Sequence, residues 1–404
     1  MREAFEAQLE WIATQAPGLR AELLHLSNLN SGSFNAAGVR AVGERIAALY
    51  APLNPGIEWL DVAPHRSTAN DGTLRERALA PALRLRRHAD APMQVLLCGH
   101  LDTVFSEDHP FQRARELDAD TVLGPGVADL KGGLLVMWLA LAALERSPWR
   151  GRIGWEVLLV PDEEVGSAGS SPFLREAASR HRFGLIYEPA FADGGLASTR
   201  KGSGNFDLVV HGRAAHAGRN PQDGRNAIAA AANVIAAIEG LNTQREGVTV
   251  NPGYVHGGGA LNVVPDCCVF KFNVRTARAE DECWLQEQFD LILGRAQRDG
   301  IRFELRGGFT RPPKPISAEM RRLMDWLSDC GHALGTDLQF KPTGGCCDGN
   351  NLAAYGLPNI DNLGVVGRDI HSDRETMRYS SLAERASLSA LLLLRLARGD
   401  LQWH

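Results

Sequence analysis

The sequence predicts an α/β protein with a mostly parallel sheet and an inserted, smaller α+β sandwich domain. First, short apolar runs alternate with helical patterns through the first half of the chain, as in a parallel sheet covered on both faces. Second, the pattern changes near residue 197 to the order strand–helix–strand–strand–helix–strand. Third, 404 residues favour two domains at about 150 residues per domain. We expect residues 1–196 and 312–404 to form the larger domain and residues 197–311 the insertion.

The first part of the chain combines helices with buried strands. Helical patterns cover residues 3–50, with breaks near Pro17 and at the Ser31-Gly32-Ser33 turn. The other elements predicted there are strands at 93–98, 153–160 and 183–187 and a helix at 131–146. Each strand ends at polar residues, and parallel sheets bind their ligands beyond these carboxyl ends.

The elements after residue 197 alternate differently. The predicted elements are strands at 205–211, 248–256, 268–275 and 301–305 and helices at 221–241 and 281–298. Three prolines, Pro312, Pro313 and Pro315, mark the return linker. The first domain then resumes with a helix at 317–334, a strand at 359–363 and a leucine-rich final helix.

Composition excludes several classes of protein. The chain has 43 Lys and Arg against 48 Asp and Glu, and this net charge of −5 provides no global attraction to nucleic acid or membranes. The N-terminal segment lacks the pattern of a secretory signal, and we expect no apolar run long enough to span a membrane. Seven cysteines without zinc-finger spacing do not favour a disulfide framework. The sequence therefore predicts a cytoplasmic protein.

The strongest local motif is Gly99-His100-Leu101-Asp102-Thr103-Val104, at the end of a predicted strand. An imidazole in this place suits a metal ion, and the Asp102 carboxylate can hold the tautomer of the His100 ring through a hydrogen bond. A structural histidine satisfied by its own turn is the alternative. The motif alone leaves both interpretations open.

The second motif is the glycine-rich segment 124–133, which contains a lone acidic residue, Asp129. Glycines let the backbone approach a ligand closely, and the carboxylate stands at a predicted helix start. Asp129 is therefore a candidate ligand or, equally, the N-cap of that helix.

The third motif is a run of three carboxylates, Asp162-Glu163-Glu164, directly after a predicted strand. Like charges at the end of a buried strand repel one another unless cations or solvent reach them. An acidic surface loop is the common alternative. The position after an apolar strand favours a buried cluster.

Glu188, after the third strand, and His371, near the C-terminus, complete the candidate metal site. The five candidate ligands are His100, Asp129, Glu164, Glu188 and His371. Two histidines with three carboxylates suit zinc or a similar divalent ion, and a carboxylate such as Asp129 can bridge two ions.

The order of these motifs resembles the metallopeptidase and deacylase family of glutamate carboxypeptidase, aminoacylase, acetylornithine deacetylase and succinyl-diaminopimelate desuccinylase. The resemblance spans nearly the whole chain and includes Ala215-His216-Ala217-Gly218 and residues 258–265 in the insertion. It is closest to the glutamate carboxypeptidase branch around the late glycine-rich loop. The resemblance implies a homodimer in which the insertion is the dimerisation and lid domain.

The resemblance also implies two zinc ions per chain, for which cobalt or manganese are possible substitutes. His100 and Glu188 would hold one ion, Glu164 and His371 would hold the other, and Asp129 would bridge them. Two divalent ions lower the pKa of a shared water and polarise the scissile carbonyl.

Two further residues of these motifs receive catalytic roles from the resemblance. Asp102 would orient His100, and Glu163 would be the general base. Glu163 would take a proton from the attacking water and pass it to the departing nitrogen.

The insertion would supply groups that contact the substrate. His216 would stabilise the developing oxyanion, often across the dimer, although a surface histidine in a loose loop is the alternative. Asn262 and Arg275 resemble binders of a substrate carboxylate, which an arginine fork can grip through two hydrogen bonds. Arg311 and Lys201 lie where the branch keeps further contacts with anionic substrates. For Arg311, a solvated linker arginine is an equal alternative.

The chain departs from the family pattern in the loop 343–350. Cys346 and Cys347 stand where small or hydroxyl residues are usual. A thiolate binds zinc well, but the ligand set is complete without it, so a pocket wall that affects substrate choice is the favoured interpretation. The other adjacent pair, Cys267-Cys268, is expected to pack within a strand.

Together these observations predict a di-zinc hydrolase that cleaves an amide bond beside a free carboxylate. The substrate would be the C-terminal amino acid of a small peptide or an N-acyl amino acid. A dipeptidase, which also needs a site for a free amine, is one alternative. A non-catalytic descendant that acts as a binding module is another, but such a module would not need Glu163 or His216.

Overall fold

A computed structural model describes residues 2–403 of the chain. The helices are α1 (Glu6–Gln15), α2 (Arg20–Ser27), α3 (Ala36–Tyr50), α4 (Gly133–Glu145), α5 (Ser171–Arg180), α6 (Ala227–Glu239), α7 (Ala279–Ala296), α8 (Ala318–Ala333), α9 (Asp348–Ala354) and α10 (Ser380–Arg398). The strands are β1 (Gly56–Leu60), β2 (His65–Thr68), β3 (Leu74–Arg77), β4 (Ala82–Arg87), β5 (Gln94–His100), β6 (Arg115–Glu116), β7 (Thr121–Leu123), β8 (Gly154–Val160), β9 (Phe183–Ile186), β10 (Leu196–Arg200), β11 (Gly202–His211), β12 (Thr249–Gly257), β13 (Cys267–Thr276), β14 (Arg302–Arg311), β15 (Phe340–Thr343), β16 (Asn359–Ile360), β17 (Gly367–Arg368) and β18 (Thr376–Arg378).

A six-stranded sheet with the order β1-β4-β8-β5-β9-β16 forms the centre of the first domain. Strands β8, β5, β9 and β16 run parallel to one another. At one edge, β4 pairs antiparallel with β8, and β1 pairs antiparallel with β4. The prediction of a mostly parallel sheet is confirmed, and its three early strands are β5, β8 and β9.

Helices cover both faces of this sheet because alternate residues of a strand point to opposite sides. In β5, Val95 and Leu97 face a large core that includes α4 and α10. Leu96 and Cys98 face a smaller core with α5 and α9. The sheet is therefore held rigidly between two layers, and only the ends of its strands are open to ligands.

One segment of the large core corrects an expectation from the sequence. Val127–Glu145 is long and apolar enough to cross a membrane, with a mean hydropathy of 1.7. We expected no such segment, because the sequence contains no uninterrupted run of about 18 apolar residues. About 94% of this segment is buried inside the fold, where α4 packs against α1, β5 and α10.

Residues 202–311 form a second, antiparallel sheet with the order β12-β13-β11-β14, and we call them the inserted domain. Phe206, Leu208 and Val210 of β11 face α6 and α7 in a separate core. The order from β11 to β14 is the predicted strand–helix–strand–strand–helix–strand. The expected boundary at residue 197 falls inside β10, which pairs with β15 of the first domain.

The two connections to the inserted domain lie side by side. Arg200 and Lys314 exchange backbone hydrogen bonds of 3.2 and 2.9 Å. Both side chains are buried and share the carboxylate of Asp361, which accepts from Arg200 Nε at 2.6 Å and from Lys314 Nζ at 3.3 Å. One buried ion cluster thus anchors both connections to the first domain.

The hairpin β2–β3 of the first domain makes a second contact with the inserted domain. Thr68 N donates to Asp207 Oδ2 at 3.3 Å, and Thr68 O accepts from Lys271 Nζ at 2.6 Å. Gly72 O accepts from Arg306 Nη1 at 2.8 Å. These side chains alternate with core residues along their strands, so the hairpin packs on the sheet face opposite α6 and α7.

Candidate metal centre

The candidate ligands lie at the carboxyl edge of the parallel strands, as the sequence predicts. His100 is the last residue of β5, Glu164 follows β8, and Glu188 follows β9. Asp129 enters from the turn before α4, and His371 enters from the loop between β17 and β18. The fold therefore brings together residues that are far apart in sequence.

The glycine-rich turn before α4 directs Asp129 toward the site. Gly126 has a φ of +72°, which favours glycine, and Asp129 has a non-helical backbone with φ −116° and ψ 85°. The N–H groups of Gly126, Ala128 and Asp129 donate to the Glu375 carboxylate at 3.0, 2.9 and 3.0 Å. The Asp129 side chain faces the histidines, so its interpretation as an N-cap is wrong.

The two oxygens of Asp129 face two different histidines. Oδ1 lies 3.1 Å from His100 Nε2, and Oδ2 lies 3.2 Å from His371 Nε2. His371 Nε2 is also 3.2 Å from Glu164 Oε2, and His100 Nε2 is 3.9 Å from Glu188 Oε1. The candidate ligands therefore form two groups that share one carboxylate.

Burial concentrates charge that solvent does not screen. Burial, together with the charge of Asp129, raises the pKa of Glu164 to about 8 and the pKa of Glu188 well above its ordinary value. Hydrogen bonds to Asp129 and Glu164 raise the pKa of His371 to about 11. Burial opposes the charged form of His100, but its carboxylate partners outweigh burial and raise its pKa.

This donor set fits a pair of divalent cations. Ligand atoms of His100, Asp129 and Glu164 all lie within 4.8 Å of one another. Glu164 Oε1 is buried and, among residues 2–403, has no hydrogen-bond partner. Imidazole nitrogens and carboxylate oxygens are ligands for zinc and for its first-row neighbours. One cation in each group would compensate the buried carboxylates.

Asp102 joins the His100 ring to the acidic turn after β8. The Asp102 main-chain oxygen lies 3.0 Å from His100 Nδ1, closer than its carboxylate at 3.4 Å. The carboxylate accepts from Ser33 Oγ at 2.6 Å and from the N–H groups of Glu163 and Glu164 at 3.2 Å each. The expected contact with the ring is made mainly by the backbone, and the side chain fixes the turn.

The run of three carboxylates is buried, so its interpretation as an acidic surface loop is wrong. Asp162 accepts from the N–H groups of Gly169 and Ser170 at 2.9 and 3.2 Å, and its burial raises its pKa to about 6. Glu163, also buried, has its Oε1 2.7 Å from Arg311 Nη2. The turn therefore presents Glu163 beside the metal-site carboxylates.

A cleft of about 330 Å³ opens over the site. Its lining includes Asp129, Glu163 and His371 on one side and Cys346 on the loop before α9. Cys346 Sγ accepts a hydrogen bond from Arg275 Nη1 at 2.9 Å. Cys346 thus belongs to the cleft wall, in agreement with the favoured interpretation.

The second thiol of this loop has a structural contact. Cys347 is buried, accepts a hydrogen bond from Gly349 N at 3.2 Å and donates to Asp361 Oδ2 at 3.1 Å. The other adjacent pair also packs as expected, since Cys267 and Cys268 lie in β13 and Cys268 is part of the inserted core.

Residues of the inserted domain differ in their distance from the cleft. Arg275, at the end of β13, contacts Cys346 of the cleft wall, and Arg311, at the end of β14, contacts Glu163, although neither arginine lines the cleft itself. Arg311 is only 7% exposed, so its interpretation as a solvated linker arginine is wrong. His216 and Asn262 lie on adjoining exposed loops, where Ala217 N donates to Asn262 O at 2.9 Å, and neither lines the cleft of its own chain as described.

Lys201 lies between β10 and β11 and is half-buried. Its N–H donates to Thr343 O at 3.2 Å, and its carbonyl accepts from Asn350 Nδ2 at 3.0 Å. Its backbone therefore ties the glycine-rich loop to the domain connection.

Sequence reasoning missed three residues that support the site: Ser33, Asp348 and Glu375. Glu375 lies four residues after His371, but its partners are backbone N–H groups, which no sequence pattern reveals. Asp348 follows the two thiols, and its buried position next to Ser167 depends on the packing of α9.

Comparison with known proteins agrees with this architecture. A family profile described as a peptidase dimerisation domain matches residues 198–300. Carboxypeptidase G2 from Pseudomonas sp. (strain RS-16) is 28% identical over 314 residues, which are 76% of this chain and 74% of that protein. Succinyl-diaminopimelate desuccinylase from Dechloromonas aromatica is 27% identical over 360 residues, 85% of this chain and 90% of that protein.

Solved structures share the fold. The M20 family metallo-carboxypeptidase Sso-CP2 from Sulfolobus solfataricus superposes with a TM-score of 0.73 and covers 94% of this chain and 99% of its own. At 14% identity this similarity shows the fold alone.

Proposed function

Because this chain belongs to the M20 family and is a metal-dependent hydrolase, we propose that it cleaves an amide bond beside a free carboxylate. The substrate is the C-terminal amino acid of a small peptide or an N-acyl amino acid. The proposed cofactor is a pair of zinc ions, held by the two groups of ligands that share Asp129.

One observation carries the proposal more than any other. The oxygens of Asp129 point to separate groups, His100 with Glu188 and His371 with Glu164. A single-ion site needs no such division, whereas a carboxylate with one oxygen toward each group of ligands would suit a pair of ions.

The chain's own groups perform the proton transfers. When bound, the ions would lower the pKa of a water and polarise the substrate carbonyl. Glu163 accepts the proton of the attacking water and donates it to the departing nitrogen. Asp102 supports this role, because its carboxylate binds the N–H of Glu163 and orients the turn.

The free carboxylate of the substrate binds at the wall of the cleft. Arg275 is partly exposed beside Cys346 of that wall, and a guanidinium can hold a carboxylate through two parallel hydrogen bonds. Asn262 and Lys201 are proposed as further contacts, and Cys346 beside Arg275 narrows the space for the bound amino acid.

A homodimer completes the proposal. His216 is exposed and does not line the cleft of its own chain, which supports a role for it in the site of a partner protomer. There it would donate to the developing oxyanion.

All seven cysteines are free, which supports a reducing, cytoplasmic location.

Metal analysis and kinetics on the wild type and on Glu163→Gln test the proposal. We expect two zinc ions per chain in both proteins. The wild type should hydrolyse members of a panel of N-acyl amino acids and dipeptides, and Glu163→Gln should show no measurable turnover because it has lost the base. Glu10→Gln, which changes an exposed carboxylate on α1, is the matched control and should remain fully active.

The outcomes separate the alternatives. Activity confined to dipeptides with a free amine would identify a dipeptidase. Two metals per chain without turnover of any panel member would favour a binding module. Full activity of Glu163→Gln would contradict the assignment of the base.

A further inference from the structure

Arg311 reaches from the end of β14 into the first domain and contacts the Glu163 turn twice. Its Nη2 donates to the Glu163 main-chain oxygen at 2.7 Å and lies 2.7 Å from the Glu163 carboxylate oxygen Oε1. One guanidinium nitrogen therefore donates a hydrogen bond to the backbone of Glu163 and forms an ion pair with its carboxylate, whose Oε1 accepts no hydrogen bond from residues 2–403.

Asp348 and Ser167 hold the guanidinium from the other side. Arg311 Nη2 donates to Ser167 Oγ at 3.0 Å and lies 3.6 Å from Asp348 Oδ1. Ser167 Oγ in turn donates to Asp348 Oδ1 at 2.5 Å. Asp348 and Ser167 are fully buried, so Arg311 stands between two carboxylates in a rigid frame.

Electrostatic attraction between Arg311 and the two carboxylates stabilises this arrangement. Burial alone would lower the pKa of Arg311, but Glu163 and Asp348 raise it well above its ordinary value. Burial raises the pKa of Asp348 to about 7, and Arg311 opposes that rise. The guanidinium is thus a buried cation whose compensation comes from these two carboxylates.

Arg311 and Arg275 differ in what they can offer a substrate. Arg311 is only 7% exposed, and its Nη2 is engaged with Glu163 and Ser167. Arg275 is partly exposed, and its Nη1 donates to Cys346 Sγ at 2.9 Å, whereas Arg311 Nη1 lies 3.9 Å from the same sulfur. Of the two, Arg275 is the guanidinium that an incoming carboxylate can reach without disrupting the acidic turn.

We propose that Arg311 and Asp348 are positioning residues for Glu163, and that Arg311 does not bind the substrate carboxylate. This inference rests on the proposed function, in which Glu163 is the base. Asp348 and Ser167 orient the guanidinium, and the guanidinium fixes both the main chain and the carboxylate of Glu163. A base must be held within a fraction of an ångström to transfer protons efficiently.

Kinetics on Arg311→Met and Asp348→Asn test this role. For Arg311→Met we expect kcat to fall about 100-fold, the scale of loss caused by a misplacement of about 1 Å, while KM changes less than about threefold. Asp348→Asn should lower kcat in the same direction but less, because the amide still accepts a bond from Ser167. The inhibition constant of the free amino-acid product should not change in either variant.

Arg275→Met is the matched control, because it removes a guanidinium from the same cleft. It should raise KM and the inhibition constant of the product about tenfold or more while affecting kcat less. A rise in KM and in the product inhibition constant for Arg311→Met, with kcat retained, would overturn the proposal and make Arg311 a substrate ligand.

Two further measurements keep the result interpretable. Arg311→Lys keeps the charge but lacks the planar fork, and it should recover only part of kcat with the wild-type metal content and melting temperature. In the Glu163→Gln background, which has no turnover to measure, Arg311→Met should leave the dissociation constant of the free amino-acid product unchanged, because neither substitution removes a substrate ligand. An active Glu163→Gln variant contradicts the proposed base, whereas an inactive Glu163→Gln with an unaffected Arg311→Met contradicts only the positioning role.

Discussion

Glu375 shows how a single side chain shapes the metal centre without facing the cleft. Its carboxylate collects three backbone N–H groups from the turn that carries Asp129. Burial raises the pKa of Glu375 to about 7, and the three donors oppose that rise. The orientation of Asp129 therefore depends on a residue in the same segment as His371.

For Glu375→Gln we expect weaker metal binding. The amide places an N–H donor where one or more backbone donors need an acceptor, so the turn and Asp129 shift. Loss of such a supporting bond typically weakens metal affinity about 10- to 100-fold. Zinc titration of the metal-free protein against a competing chelator measures the change. An unchanged affinity relative to Glu10→Gln would contradict the role of Glu375.

At the residue scale, the sequence predicted those candidate ligands whose side-chain type suits a metal ion and whose position follows a buried strand. His100 and Glu164 follow buried strands, and their convergence follows from the geometry of a parallel sheet. Arg311 could not be placed this way, because its partners Glu163 and Asp348 belong to the other domain. Its alternatives as substrate ligand or surface arginine both overlooked the buried frame.

At the scale of elements, the hairpin β2–β3 is the least predictable part of the first domain. Strand β3 is exposed along its whole length, and neither strand has an apolar run. The hairpin is held in place by hydrogen bonds that join Thr68 and Gly72 to side chains of the inserted sheet. Strands β1 and β4 were missed for a related reason, since the charged Arg84 and Arg86 interrupt the apolar pattern of β4.

Gly72→Ala tests whether the hairpin packs on the inserted domain. Gly72 has a φ of +80°, and a Cβ there would lie 2.7 Å from Val209 Cγ1. We expect the variant to lose about 1 kcal/mol from the backbone and about 1 to 3 kcal/mol more from crowding against Val209.

The control for this variant is Gly335→Ala. Gly335 has nearly the same φ, +81°, and open space around the position of a Cβ. Urea unfolding of both variants isolates the contact, since only the difference between them reports on packing. Equal losses of unfolding free energy would show that the hairpin does not press on Val209.

At the scale of the whole molecule, the inserted domain presents an apolar surface next to His216. Tyr254, Val255, Leu261 and Val263 are all exposed, and Leu261 fully so. Strand β12 is an edge of its sheet, and exposed edges pair readily with another chain. This surface is where we expect the second protomer.

We therefore expect Leu261→Asp to convert a dimer into a monomer. Light scattering measures the change in mass, and activity should fall with it, by about 100-fold where one oxyanion donor is lost. Leu117→Asp, at an exposed leucine of the first domain, should remain a dimer and active. A wild-type monomer with full activity would rule out a contribution of His216 from a partner.

The domain plan was predictable at this scale because the order of elements encodes it. Six elements in a recognisable order identified the inserted domain, although its first strand begins at Gly202 rather than at the predicted residue 205. The contacts between the domains were not predictable, since they join residues far apart in sequence that share no pattern, as Thr68 and Asp207 do.

The adjacent ends of the inserted domain also suggest how the architecture arose. Because Arg200 and Lys314 lie side by side, a whole folding unit can enter or leave the chain here without separating any neighbours in the first domain. Arg311 is the last residue of that unit's sheet and three positions before the crossing. A chain without this unit would keep all five candidate metal ligands but would lack the guanidinium that contacts Glu163. If Glu163 is the base, as we propose, the inserted domain therefore contributes to the proton transfers of its own chain as well as to the expected dimer.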